Sequence, residues 1–261
     1  MNFSVLTYNV LFNKAFNELG IVIKASHPDV ICIQEIDTEE SNLEKIEKLG
    51  YKLADYSNSF IHFGTIFGVA TFYNPESCNF TGSSTLQLPR SIYEIFLLVI
   101  RLLRGGNEPR TVLKTDFTFQ SNKRKITIYN THLTVLSTNQ GRVKQMKKVI
   151  DFIQNYKETP LIITGDFNYH PYGRKQLETL MKENELNEAT SSLDYTMQLN
   201  PTGKFENYNF IQRLFAKIVR FLFNDRFKLD YMYYKNLKLI NTKRIDIRLS
   251  DHYPIIGKFS L

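Results

Sequence analysis

The chain contains no tryptophan and only two cysteines. Cys32 lies in an apolar run and Cys78 beside a turn, so a disulfide framework is excluded; a reducing compartment, or indifference to redox, is expected. Its eight prolines and twelve glycines form no Pro/Gly/Ser-rich linker, and there is no repeat or low-complexity tract. One domain over residues 1–261 is therefore expected, because 43% hydrophobic residues are enough for one large core. No apolar run is long enough to span a bilayer. The opening residues, MNFSVLTYNV, alternate like a strand and lack the charged and apolar regions of a signal peptide. They predict a cytoplasmic protein, or one whose leader was removed before this numbering begins.

Positive charge is not scarce. The formal net charge is +7. That balance favours an anionic partner, whether nucleic acid, an acidic membrane surface or a phosphorylated substrate; it is equally compatible with a solvated basic surface.

The sequence is organised around LIITGDFNYHP, residues 161–171. Residues 161–164 read as a short buried strand that Gly165 breaks. Asp166 and Asn168 follow at a spacing of two. In extended chain both side chains leave the same face at the mouth of a sheet, where an acid and an amide can hold a water, a phosphate oxygen or a metal. Taken alone, the same residues also read as an Asx-rich turn leaving a strand.

Elsewhere, residues 3–8 alternate and place Val5, Thr7 and Asn9 on one face. Residues 14–25 have helical spacing. Residues 30–34 form a strand delivering Glu35 to its end, on the face of Ile31 and Ile33. A helix is predicted over 38–49, capped by Thr38 and stopped by Gly50. Strands follow at 65–73, 111–119 and 125–130, the last two as a hairpin. Helices are predicted over 138–156 and 174–183, and final strands over 229–234 and 253–259. The pattern gives an α/β class with mixed sheets.

Nearly every strand end carries a residue that strands disfavour: Asn9, Glu35, His132, Asp166, Asn168, Asp230, Asp251 and His252. One such residue alone is more often structural. Eight at matching places need a common explanation, because buried acids and imidazoles require partners to offset desolvation. His27, His62 and His170 read as structural.

The segments LTYNV (6–10), IQEID (33–37), YNTHL (129–133), TGDFN (164–168), LDYMYY (229–234) and LSDHYP (249–254) resemble, in order, the endonuclease/exonuclease/phosphatase superfamily. The resemblance implies a four-layer sandwich, two packed mixed β-sheets flanked by helices, with an active site at one edge. It implies that Glu35 is the principal carboxylate ligand of Mg2+ (with Mn2+ as a substitute), with Asn9 and Asp251 nearby. Asp166 and Asn168 resemble the pair that orients the attacking water and a phosphate oxygen. His252, oriented by Asp230, resembles the histidine that serves as general base or contacts the phosphate, and His132 resembles the second histidine. The chemistry implied is in-line attack of water on a phosphodiester. Arg142 and Gln145, in GRVKQMKKV, match a recurrent family pattern and are expected either at the substrate rim or on a solvated helix face with Lys144, Lys147 and Lys148. The deoxyribonuclease branch places an acid before its long insertion to support the first histidine; here that region reads FGVATFYNP.

Two apolar insertions are unlike a plain nuclease, at about 86–110 and 200–228. SIYEIFLLVIRLLR (91–104) contains Phe96 and Leu97. NFIQRLFAKIVRFLFNDRF (209–227) reads as a cationic amphipathic helix with Phe215 and Leu222 on its apolar side. Both segments pack as core or contact a membrane. The wording of GDFNYHP and LDYMYYK lies nearer the neutral sphingomyelinases than the abasic-site endonucleases. The expectation is therefore a monomeric phosphodiesterase acting on a phospholipid head group, peripheral on an anionic membrane, with a nuclease as the alternative.

Overall fold

Val5 and Leu6 are both fully buried, yet they belong to different cores, and that alternation sets the architecture. The computed structural model describes residues 2–62, 65–90, 110–121, 123–135, 137–153, 159–170, 173–199 and 225–261. In chain order its strands are β1 (Asn2–Asn9), β2 (Val30–Asp37), β3 (Lys52–His62), β4 (Thr65–Tyr73), β5 (Cys78–Gln87), β6 (Thr111–Phe119), β7 (Lys125–His132) and β8 (Leu161–Asp166). They continue with β9 (Asn187–Glu188), β10 (Met197–Gln198), β11 (Arg226–Phe227), β12 (Asp230–Lys235), β13 (Lys238–Arg244) and β14 (Ile255–Ser260). The helices are α1 (Leu19–Ser26), α2 (Glu40–Glu47), α3 (Asn139–Ile153) and α4 (Arg174–Glu183).

Among the described residues the strands form two six-stranded sheets, β13-β14-β1-β2-β4-β3 and β5-β6-β7-β8-β12-β9, and a β10-β11 ribbon. Each large sheet has one parallel pair, β1·β2 and β7·β8, flanked by antiparallel neighbours, so both are mixed. Phe3, Val5, Val30 and Cys32 of the first sheet meet Phe117, Ile126, Ile128, Ile162 and Met232 of the second in an inner core. Leu6, Ile31 and Ile33 face outward onto Val22 and Ile23 of α1 and Leu43 and Ile46 of α2. Tyr129, Ile163, Tyr231 and Tyr233 face outward onto Met146 and Val149 of α3 and Leu177 and Met181 of α4. The result is the expected α/β sandwich, and burial on both faces explains why the central strands read as continuous apolar runs.

Several local expectations change. The helix predicted at 14–25 begins as a 3-10 turn, Phe16–Glu18, before α1. Thr38 does not cap α2; Glu39 holds the N-cap position, and the Thr38 hydroxyl donates to Asn58 Oδ1 and Ile66 O instead. Gly165 does not end β8, which runs on to Asp166. Both cysteines are buried free thiols in the inner core, and burial pushes each up to about 12, which leaves them unreactive.

Toward one edge the inner layer turns polar. Gln34 Nε2 donates to Asn130 Oδ1 at 2.7 Å, and Asn130 Nδ2 donates to the carbonyls of Ile33 and Ala70 at 3.2 and 2.9 Å. Gln34 and Asn130 have no exposed surface, so these bonds fasten the sheets together without competition from water. Asn130→Ala is expected to lower stability by about 2–4 kcal/mol, read from urea denaturation. A loss under about 1 kcal/mol would mean that the bonds contribute little.

Candidate active site

The strand period of two carries the inner face from apolar to catalytic residue types. On β7 it runs Ile126, Ile128, Asn130, His132; on β8, Ile162, Thr164, Asp166; on β12, Met232 back to Asp230; on β1, Val5, Thr7, Asn9. The ladders then align the ends. His132 pairs with Asp166 across β7·β8, and Asp230 pairs with Asp166 across β12·β8. Asn9 crosses from the other sheet, its Nδ2 donating to Asp166 Oδ2 at 3.0 Å while its Oδ1 accepts the Leu11 N–H. Residues far apart in sequence thus meet at one rim.

Glu35 reaches that rim by a β-bulge rather than by standing at a strand end. Gln34 pairs with Val69 and Ile36 with Gly68, leaving Glu35 unmatched at φ 56°. Simple alternation would have sent it outward with Ile31 and Ile33. Ile36 takes that place in the outer core, and the Glu35 Oε1 lies 3.6 Å from His132 Nε2 of the opposite sheet. Leu11, Phe12 and Asn13 are also left-handed, and this turn clamps the bulge: Asn13 N–H donates to Glu35 O, and Asp37 N–H donates to Asn13 Oδ1. Together with Asn168 (φ 50°), these residues concentrate backbone strain at the rim, where the surrounding bonds hold it in place.

The chain does not stay extended from Asp166 to Asn168. Asp166 Oδ1 accepts the Asn168 N–H at 2.8 Å, and Asn168 Nδ2 donates to Leu133 O. The turn and the site are one object. Gly165 permits it: at φ 138°, a Cβ here would lie 1.9 Å from the Thr131 carbonyl oxygen, so only glycine lets β7 and β8 close at this point.

His252 Nδ1 lies 2.8 Å from Asp230 Oδ2, which also accepts the Thr196 hydroxyl at 2.7 Å. Thr196 Oγ1 in turn accepts the N–H groups of Leu229 and Asp230. This holds the imidazole, with Nε2 3.8 Å from Asp166 Oδ2. His132 is oriented differently: its Nδ1 lies 3.1 Å from Arg110 Nη1. Thr196 and Arg110 were not foreseen. Thr196 carries no sequence signal. Arg110 does carry one, since it immediately precedes β6, the hairpin partner of the strand that ends at His132.

The electrostatics are those of a crowded anionic hollow. Burial first, then Asp251 and Asp166, push the Glu35 carboxyl up to about 7. Burial raises Asp166 to about 6, with His252 pulling it down and Asp230 pushing it up. Burial alone would lower His252, but Asp230, Asp166 and Asp251 hold it well above its usual range. Burial, then Arg110 and His252, keep His132 well below its own.

Asp166, Asp230 and His252 lie close enough together to suggest a metal site. Asp230 and His252 are nevertheless already engaged with each other, through Asp230 Oδ2 and His252 Nδ1. Spare capacity lies at Glu35, whose buried Oε2 has no hydrogen-bond partner. With Asp251 and the second lone pair of Asn9 Oδ1, it forms a hard-oxygen donor set that fits a divalent cation.

Arg142 lies inside the fold. It is 1% exposed, and its Nε and Nη2 donate to the carbonyls of Thr134 and Val135. It braces the loop after His132 instead of lining the rim. Gln145 does the same, donating to Pro89 O and accepting from Thr134 N–H. Phe96, Leu97, Phe215 and Leu222 lie outside the described residues, as does most of each apolar insertion. The bases of both insertions are described. Leu88 N–H donates to Arg110 O, and Leu199 N–H donates to Asp225 O. Arg110 touches His132, and Met197, two residues from the second base, bridges to His252.

The sequence pattern of the Endonuclease/Exonuclease/phosphatase family matches residues 6–252. No curated protein shows significant sequence similarity to the chain. Among solved structures, the human nocturnin catalytic domain with bound sulfate superposes with a TM-score of 0.71 at 19% identity, over 99% of this chain and 94% of that one. A Bacteroides thetaiotaomicron mannosyl-6-phosphatase gives 0.69 at 15% identity, over 99% and 100%. D. rerio TDP2 complexed with a single-strand DNA product gives 0.67 at 14% identity, over 100% and 99%.

Proposed function

The chain belongs to the endonuclease/exonuclease/phosphatase family of phosphoester hydrolases, and we propose that it is a divalent-cation-dependent phosphodiesterase acting on a phospholipid head group at a membrane surface. The hydrolytic part rests on one observation. His132, Asp166 and Asp230 stand in register on adjacent strands, facing a Glu35 with an unsatisfied buried oxygen. Glu35, Asp251 and Asn9 would hold Mg2+ or Mn2+, which when bound supplies charge stabilisation at the phosphoryl oxygens.

The protein's own groups divide the remaining work. Asp166, near 6, is ionised at neutral pH yet basic enough to take a proton from water, which Asn168 helps orient. His252 is held protonated by Asp230 and so serves as a donor to the phosphoryl group, not as the base. Water attacks phosphorus in line while the ester oxygen leaves on the far side.

The lipid part is supported by composition and placement. Both apolar insertions are rooted beside site residues, and 209–227 carries aliphatic and aromatic residues opposite a basic arc. Five large apolar side chains entering lipid at roughly 1.5–3 kcal/mol each, plus about 1 kcal/mol per basic residue near anionic lipid, suffice for binding. Flotation with anionic liposomes is expected to carry the wild type and not Phe215→Glu. Equal flotation of the two, or none, would end the membrane reading. Sphingomyelin cleavage and plasmid nicking, each with and without chelator, separate the substrates. The net charge of +7 also suits a nuclease, and nicking that falls steeply with salt would replace the lipid reading with that one.

A further inference from the structure

We propose that Arg110 is the positioning residue of His132, fixing the ring tautomer that presents an N–H, not a lone pair, to the phosphoester. The mechanistic part of this inference rests on the hydrolase reading above; the tautomer itself does not. Arg110 Nη1 lies 3.1 Å from His132 Nδ1. A guanidinium has five donors and no acceptor, so Nδ1 must accept, and the hydrogen of the neutral ring must sit on Nε2. That nitrogen points to the rim, 3.6 Å from both Glu35 Oε1 and Asp166 Oδ2 and too far for a hydrogen bond to either. The ring has no exposed surface, so it is held between β7 and its neighbours rather than free to turn.

His252 is the internal contrast. Its Nδ1 faces the Asp230 carboxylate, which only accepts when ionised, so there Nδ1 carries hydrogen. One hollow therefore contains two histidines with opposite orienting partners, an anion behind one and a cation behind the other. With its hydrogen on Nε2, His132 cannot accept a proton from water at that atom. It donates a hydrogen bond to a non-bridging phosphoryl oxygen, and Arg110 sets this polarity from behind.

The test is ring nitrogen spectroscopy of protein labelled with 15N-histidine, without substrate, with His132 assigned among the five histidines by its loss in His132→Gln. The wild type is expected to show the Nε2–H form at His132. Arg110→Lys, still a donor, should retain it, while Arg110→Glu, an acceptor, should drive hydrogen to Nδ1. An Nδ1–H signal in the wild type overturns the proposal without need of any variant, and so does an unchanged pattern in a folded Arg110→Glu. Arg110→Met is expected to lower kcat about 100-fold with KM nearly unchanged, and Arg110→Lys to recover most of that loss. If no phosphoester is hydrolysed while the tautomer follows Arg110, the proposed function fails and the positioning role stands. If hydrolysis is robust and the tautomer ignores Arg110, the reverse holds.

Discussion

Asp166→Asn is expected to lower kcat by about 10³-fold or more while leaving the protein folded and KM little changed. The substitution keeps the shape and keeps an oxygen to accept the Asn168 N–H. What it removes is the negative charge and the basic oxygen. It also sets an amide nitrogen against Asn9 Nδ2, donor against donor, so one hydrogen bond of about 1 kcal/mol is lost. Removing a buried, repelled carboxylate offsets that cost, since Asp166 ionises against burial and Asp230. A large loss of turnover with a stability change within about 1–2 kcal/mol therefore separates a chemical role from a structural one. Near-normal turnover would remove Asp166 from the mechanism, and a collapse of stability would make it structural. His252→Gln is expected to cost about 10²-fold in kcat, because a donor rather than the base is lost.

The second large effect concerns stability in chelator. Glu35 has its folded carboxyl raised from 4.5 to about 7, so it favours folding while protonated. That contribution is full below pH 4.5 and is lost as pH rises through about 7. Asp166, raised from 3.8 to about 6, acts in the same direction, and so does His252, raised above 6.5. His132, lowered from 6.5, opposes them, since its cost appears only as pH falls below that value. Metal-free protein should therefore lose stability between pH 4.5 and 7, and a divalent cation should restore it. Glu35→Gln isolates one group. The wild-type minus variant stability is expected to fall by up to about 3 kcal/mol across that window, and the variant should lose most of its response to Mg2+. Parallel curves for the two proteins would deny Glu35 both the shifted ionisation and the cation.

Much of this site was legible in sequence because the strand period of two survives to the rim: Asn9, His132, Asp166 and Asp230 all stand where alternation from Val5, Ile128, Ile162 and Met232 puts them. Glu35 was legible as a residue but not in its route, since a bulge is a single inserted residue that leaves no periodic trace. Asn168 was placed by assuming extended chain, whereas Asp166 folds the backbone onto its own carboxylate. Arg142 was expected at the rim because GRVKQMKKV matches a recurrent family pattern; that pattern does not show that the loop after His132 folds back over the guanidinium and buries it against the carbonyls of Thr134 and Val135. β3, β5 and β13 were not anticipated. Each is an outermost strand of its sheet, and the exposed residues on β5 and β13 weaken the apolar alternation that betrays a central strand.

The hydrolase account depends on one hollow binding a hard cation and a phosphate ester together. The most direct test is the hydrolysis rate of a chromogenic phosphodiester in chelated protein as Mg2+ is added back, for wild type and Glu35→Gln. The account predicts a rate near zero without the ion, saturable recovery in the wild type and almost none in the variant. Hydrolysis that ignores the chelator, or a variant that recovers as the wild type does, would contradict it.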